Sequence, residues 1–166
     1  MRKSLEAIGL IALAVLVWIS YQALAGPERL RDRIPTHFDM AGNANGWGSP
    51  AMLLLLPVIA VGLYLAIAVT SCFPMTFHYP VPVAPANLPR VQDLTLDLVS
   101  WLKTELACLF AMLQWWMIHA ARSGDGRLPV LLVPGFLVVI FATVGCYFVV
   151  VIRAASADGG SQNQFR

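Results

Sequence analysis

Four stretches of this chain are apolar for long enough to dictate where it can live. They run approximately from Leu5 to Leu24, Ala51 to Phe73, Leu98 to Ala121 and Leu128 to Ile152. A bilayer core about 30 Å thick takes about 20 apolar residues in a helix, since lipid supplies no water to satisfy backbone groups. The expected fold is therefore an all-α integral membrane protein, a four-helix transmembrane bundle forming a single domain over residues 1–153, with a polar tail over 154–166. Composition agrees: 58% of the 166 residues are hydrophobic, 12% are charged, and the mean hydropathy is +0.71. So few charges could not cover a soluble globule, where about a quarter of residues are charged. The net charge of +2 comes without a Lys/Arg run, so nucleic acid is not an expected partner; the bilayer is. Cys72, Cys108 and Cys146 lack the close pairing of a metal or redox motif and read as small hydrophobes.

An even number of spans places both termini on one side, and the loops 25–50 and 122–127 together on the other. Arg2, Lys3, Arg90, Arg153 and Arg166 then balance Arg29, Arg31, Arg33, Arg122 and Arg127. The positive-inside rule is tied, and Arg2 and Lys3 ahead of the first helix decide for cytoplasmic termini in the cell membrane, with the 25–50 loop extracytoplasmic. A rival reading makes the first segment a signal peptide ending at Ala23-Leu24-Ala25, although its apolar run is longer than a normal signal core. Gly62 with Ala66, and Ala107 with Ala111, are small-xxx-small pairs suited to close helix packing. Pro57 and Pro134-Gly135 lie inside apolar runs and are expected to bend them.

The loop between the first two spans is dense in turn formers: Arg33-Ile34-Pro35-Thr36-His37-Phe38-Asp39-Met40-Ala41-Gly42-Asn43-Ala44-Asn45-Gly46-Trp47-Gly48. Pro35 biases Ile34 toward extended geometry, Gly42 suits a left-handed conformation, and Asn45-Gly46 is a tight-turn signal. A compact cap on the bilayer surface is expected, with Phe38 and Trp47 at the interface. Ile34-Pro35, His37-Phe38-Asp39, Gly42 and Gly46-Trp47-Gly48-Ser49 resemble the signature loop of a bacterial membrane domain of unknown function, found at the front of SdpI-type immunity proteins. The resemblance covers about Leu10 to Phe73. In that family a Pro follows the opening Leu and a Lys closes the motif; here Arg31 and Pro50 stand there. The resemblance implies a loop joining two transmembrane helices and, at the family level, immunity to a secreted peptide toxin or membrane signalling.

Two sets of residues could carry chemistry. His37 and Asp39, with Asn43, Asn45 and His119, offer donors to a divalent ion, but H-x-D is a common spacing; the reading without a metal or cofactor makes Asp39 a turn cap and His37 a loop hydrogen-bonder. On the third span Trp101, Glu105, Cys108, Met112, Trp115 and His119 recur at steps of three and four and form one helix face. Glu105 is either a proton-linked or ligand-binding carboxylate, or an interfacial residue on a helix that begins early, near Val91; in both cases it should avoid lipid. Lys103, two residues away, is expected to point elsewhere and snorkel to the interface. The Pro-rich stretch from Pro74 to Pro89, with Pro80-Val81-Pro82 at its centre, reads as an extended linker. The resulting expectation is a non-enzymatic protein that binds a membrane-active peptide or membrane partner through the loop and the aromatic face. The alternatives are an accessory subunit of a transporter or other complex and, with least support, a metal-dependent membrane enzyme.

Overall fold

The computed structural model describes residues 1–30, 33–74, 77–79, 81–124 and 126–156. Among the described residues there are four α-helices: α1 (Arg2–Ala25), α2 (Leu55–Thr70), α3 (Leu88–Ser123) and α4 (Leu132–Ser156). Among the described residues, three helices are long and apolar enough to cross a membrane: Arg2–Ala25, Pro50–Thr70 and Leu132–Ser156. Each is predominantly apolar where it is exposed, α4 above all, as expected of a surface that meets lipid rather than water.

The starts of α1 and α3 and the end of α4 gather at one end of the bundle, where Arg2 bonds Asp93 and Asp97 and Asn87 Nδ2 donates to the Ala155 carbonyl at 3.2 Å. The loops after α1 and after α3 meet at the other end. α3 is the central helix, packing against each of the other three, whereas α4 packs chiefly on α3. Three apolar clusters fill the seams. Leu13, Leu16, Ala60, Tyr64 and Ala107 join α1, α2 and α3; Ala23, Ile34, Leu53 and Ile118 close the loop end; Val91, Val151 and Ala154 close the terminal end.

Several expectations change. The fold is not purely helical, because the α1–α2 loop contains an antiparallel hairpin of β1 (Ile34–Phe38) and β2 (Ala44–Gly48). α3 starts at Leu88, near the early start weighed above rather than at Leu98, and its 36 residues give about 54 Å at 1.5 Å per residue, well beyond a bilayer core. The stretch after Pro74 is correspondingly shorter than a linker reaching Pro89; Pro80 lies outside the described residues, as do 157–166 of the tail, while 154–156 belong to α4. Neither proline bends a helix midway. Pro134 falls in the first turn of α4, where a missing N–H costs nothing, and Pro57 follows a 3-10 turn (Pro50–Leu54) that opens α2. Ala107 is buried with Ala111 against it, as its spacing suggested. Gly62 is instead exposed, with open space where a side chain would stand.

The close approach of α1 rests on Gly9. A Cβ there would lie 3.0 Å from Tyr64 Cε2 and 3.3 Å from Thr104 Oγ1, so absence of a side chain lets α1, α2 and α3 meet.

Candidate functional site

The loop end is built as a lid from two loops. Ile34 and Pro35 are buried, Ile34 plugging the apolar cluster between Ala23, Leu53 and Ile118, so the hairpin is seated on the helices. Its turn is made by Asp39 to Asn43. Asp39 N–H donates to the Asn43 carbonyl at 2.9 Å, and the Asp39 carboxylate accepts from the Asn43 and Ala41 amides at 2.8 and 2.9 Å. These amides, Asn43 foremost, hold the Asp39 carboxyl below the usual carboxylate range against the opposing effect of desolvation. Gly42 takes φ +78°, the left-handed conformation the sequence suggested. Asn45-Gly46 does not form the turn; both lie in β2, with Gly46 opposite His37, where a Cβ would come within 2.8 Å of the His37 Cβ.

The hairpin is then stitched to the α3–α4 connection. Leu128 N–H donates to the Gly42 carbonyl and Ala44 N–H to the Gly126 carbonyl, both at 2.8 Å, which pairs Asn43 with Arg127 as an antiparallel bridge. Arg33 adds a 2.8 Å bond to the Trp47 carbonyl. Two backbone bonds between the loops, with the Arg33 bond inside the hairpin, restrict the freedom a loop would have. The lid presents Met40, 97% exposed, and the outward ring of Trp47; Phe38 is half-buried, and Gly48 packs on Thr36.

The candidate metal donors do not converge. His37 Nδ1 pairs with Asn45 Oδ1, while His119 stacks on Trp115 with ring centroids 5.5 Å apart and meets Trp116 edge-on. Among the described residues no three His, Cys, Asp or Glu side chains come together as ion ligands.

The α3 face forecast from spacing is real as a row but points outward. Trp101, Met112, Trp115 and His119 are exposed, and only Glu105 is buried. Its Oε1 accepts from Thr143 Oγ1 of α4 at 2.5 Å, and Oε2 has no hydrogen-bond partner. The inward face carries a polar seam the sequence reading missed: Ser100, Lys103, Thr104 and Gln114. Lys103 does not snorkel. It is 4% exposed, its Nζ lies 2.7 Å from Glu6 Oε1, and it sits over the Tyr64 ring at 5.0 Å. Tyr64 and Ser100 hydroxyls donate to the two oxygens of Glu6 at 2.8 and 3.1 Å. An ammonium so far from water needs a carboxylate, and Glu6 near the start of α1 supplies it. The signal available in the sequence was one unpaired acid and one unpaired base at the edges of two apolar runs.

Closer to the lid, Gln114 is fully buried and its Nε2 donates both to Ser20 Oγ and to the Leu53 carbonyl, each at 2.9 Å. The polar seam thus ties α3 to α1 through Ser100, Lys103, Thr104 and Gln114, and to the 3-10 turn ahead of α2 through Gln114.

Residues 7–61, about a third of the chain, match the family described as domain of unknown function DUF1648. That match covers most of α1, the hairpin and the first part of α2. An uncharacterized protein of Archaeoglobus fulgidus is 26% identical over 161 residues, spanning 89% of this chain and 84% of that protein. No solved structure matches.

Proposed function

We propose that this chain is a non-enzymatic, multi-pass protein of the cell membrane, with α3 as a fourth span, cytoplasmic termini and an extracytoplasmic lid that binds a membrane-active peptide or a membrane protein partner. The immunity or signalling role of SdpI-type proteins is the specific version, the one the loop's resemblance implies; the DUF1648 match covers the lid, most of α1 and the first part of α2. The observation that carries the reading is the lid itself. It is held by backbone bonds from both loops, yet it holds Met40 and Trp47 out to solvent or headgroups. A surface ordered beforehand loses little freedom on binding, which favours recognition. The separation of His37, engaged with Asn45, from His119, stacked on Trp115, weighs against an enzyme built from those residues.

The test is protection of a sensitive bacterium that produces the chain against a panel of secreted membrane-active peptides. Survival should rise for at least one peptide and return to the control for Met40→Asp with Trp47→Ala, at unchanged protein level. No protection by the unaltered chain against any peptide would remove the immunity version. Maleimide labelling of Asn45→Cys from outside intact cells should succeed; labelling only after lysis would reverse the orientation. A second reading, an accessory subunit, is favoured by the outward Gly62 on α2, a place where another helix could approach closely. It calls for a fixed partner that co-purifies in mild detergent.

A further inference from the structure

A groove of about 510 Å³ runs between α3 and α4, with the exposed Trp101, Val138 and Val139 among its lining residues. Its α3 wall is Leu94, Leu98 and Trp101, and its α4 wall includes Val139, Ala142 and Thr143. The α3 row continues one step deeper to Glu105, whose carboxyl is reached by Thr143 from the opposite wall. Glu105 is more than nine-tenths buried, and its Oε2 is left without a hydrogen-bond partner. The nearest base in sequence does not compensate it: Lys103 lies two residues away, on another face, and is engaged by Glu6. Glu105 lies just behind the lining, joined to it through Thr143; at the mouth the charged lining groups are Asp97, bound by Arg2, and the terminal amine of Met1. Charges of both signs thus meet at the mouth, whereas behind the inner wall Glu105 keeps an oxygen with no hydrogen-bond partner, the Trp101 ring stands beside it, and most of the rest of the lining is apolar.

We propose that this groove is a binding site for a small lipophilic cation, which places its positive group against Glu105 and its apolar body along Leu98, Trp101 and Val139. A buried acidic side chain with an unused oxygen is matched by a cation that reaches it already stripped of water, as a lipid-soluble ion does. Trp101, partly exposed in the groove, adds attraction of its ring face for the same charge. The site is separate from the lid and needs no part of the reading given for it.

The probe is tetraphenylphosphonium, with tetraphenylborate as a control of nearly the same shape and opposite charge, added to the full chain in phosphatidylcholine nanodiscs. Saturable quenching of tryptophan fluorescence by the cation is expected, at one ion per chain and without competition from the borate. Glu105→Gln should weaken binding at least tenfold, and Glu105→Asp should retain more affinity than the amide. On the unaltered chain, a photoreactive aryl phosphonium should label residues 94–105 and 138–150, a measurement that stands even if the variants fail to fold. Equal, unsaturable uptake of both ions, labelling spread over other helices, or full affinity in a folded Glu105→Gln protein would each overturn the assignment.

Discussion

Gln114 Nε2 donates to the Leu53 carbonyl at 2.9 Å, and Leu53 lies four residues before Pro57. In a continuing helix that carbonyl would accept from the amide of residue 57, which proline lacks. An α3 side chain therefore replaces the bond that α2 cannot make for itself, in a setting where an orphaned carbonyl is costly. Gln114→Leu should destabilise the protein by about 1–3 kcal/mol, the cost of leaving such a group unpaired. Pro57→Ala restores an amide, so the same Gln114 substitution should cost less in that background. A double-mutant cycle by detergent unfolding checks this; additive effects would sink it.

Gly9 and Gly62 are both helical glycines, and the structure separates them. Gly9→Val should lower stability by about 1–3 kcal/mol through overpacking against Tyr64 and Thr104. Gly62→Ala should be neutral or slightly stabilising, since the new methyl group meets nothing within 4 Å inside the chain. Thermal unfolding in detergent compares the two. A Gly62→Ala protein that loses a co-purifying partner while staying as stable would instead identify α2 as an assembly face.

The Glu6–Lys103 pair predicts a sign pattern. Lys103→Met should cost about 2 kcal/mol, less than a fully dry pair because Glu6 is a third exposed. Adding Glu6→Gln to Lys103→Met should recover most of the loss, because neither charge is then left alone. A double variant less stable than both single variants, in denaturant titrations, would contradict the pairing.

The lid should respond to acid. The folded-state carboxyl of Asp39 titrates below its ordinary value, so the stability it contributes is present above about pH 4 and is lost as pH falls through the depressed folded value. Exchange of the Ala41 and Asn43 amides should accelerate across that window while helix amides stay protected. Asp39→Asn should abolish the pH dependence.

Gly42 couples the two loops. A Cβ at this φ of +78° would sit 2.2 Å from the Leu128 carbonyl oxygen, so Gly42→Ala must break the Leu128–Gly42 bond as well as strain the turn. Amide exchange at Ala44 and Leu128 should rise together. Independent behaviour of the two amides would show that the loops are not coupled.

The helices were legible because length and hydropathy report solvent preference directly: Leu5 to Leu24 became Arg2–Ala25, and the Asp39 cap and Gly42 conformation follow from local chemistry. What depends on another element was not legible. Lys103 looks like an interfacial lysine until Glu6 of α1 lies beside it, and Gln114 has no purpose until Pro57 frees a carbonyl across the seam. The face of Trp101, Met112, Trp115 and His119 illustrates the same limit, since periodicity finds a row but not the direction it faces. Asn45-Gly46 failed as a turn because Asp39 and Gly42 form a better one a few residues earlier.

α4 is fastened by the Leu128 and Gly126 ties beyond its start, by Val151 and Ala154 near its finish and, between them, by single side-chain bonds from Thr143 and Tyr147 to α3, with most of its outer surface uncovered. It resembles a strung bow more than a stave in a barrel. A small apolar molecule can therefore reach its midpoint from the side, with neither end having to be undone.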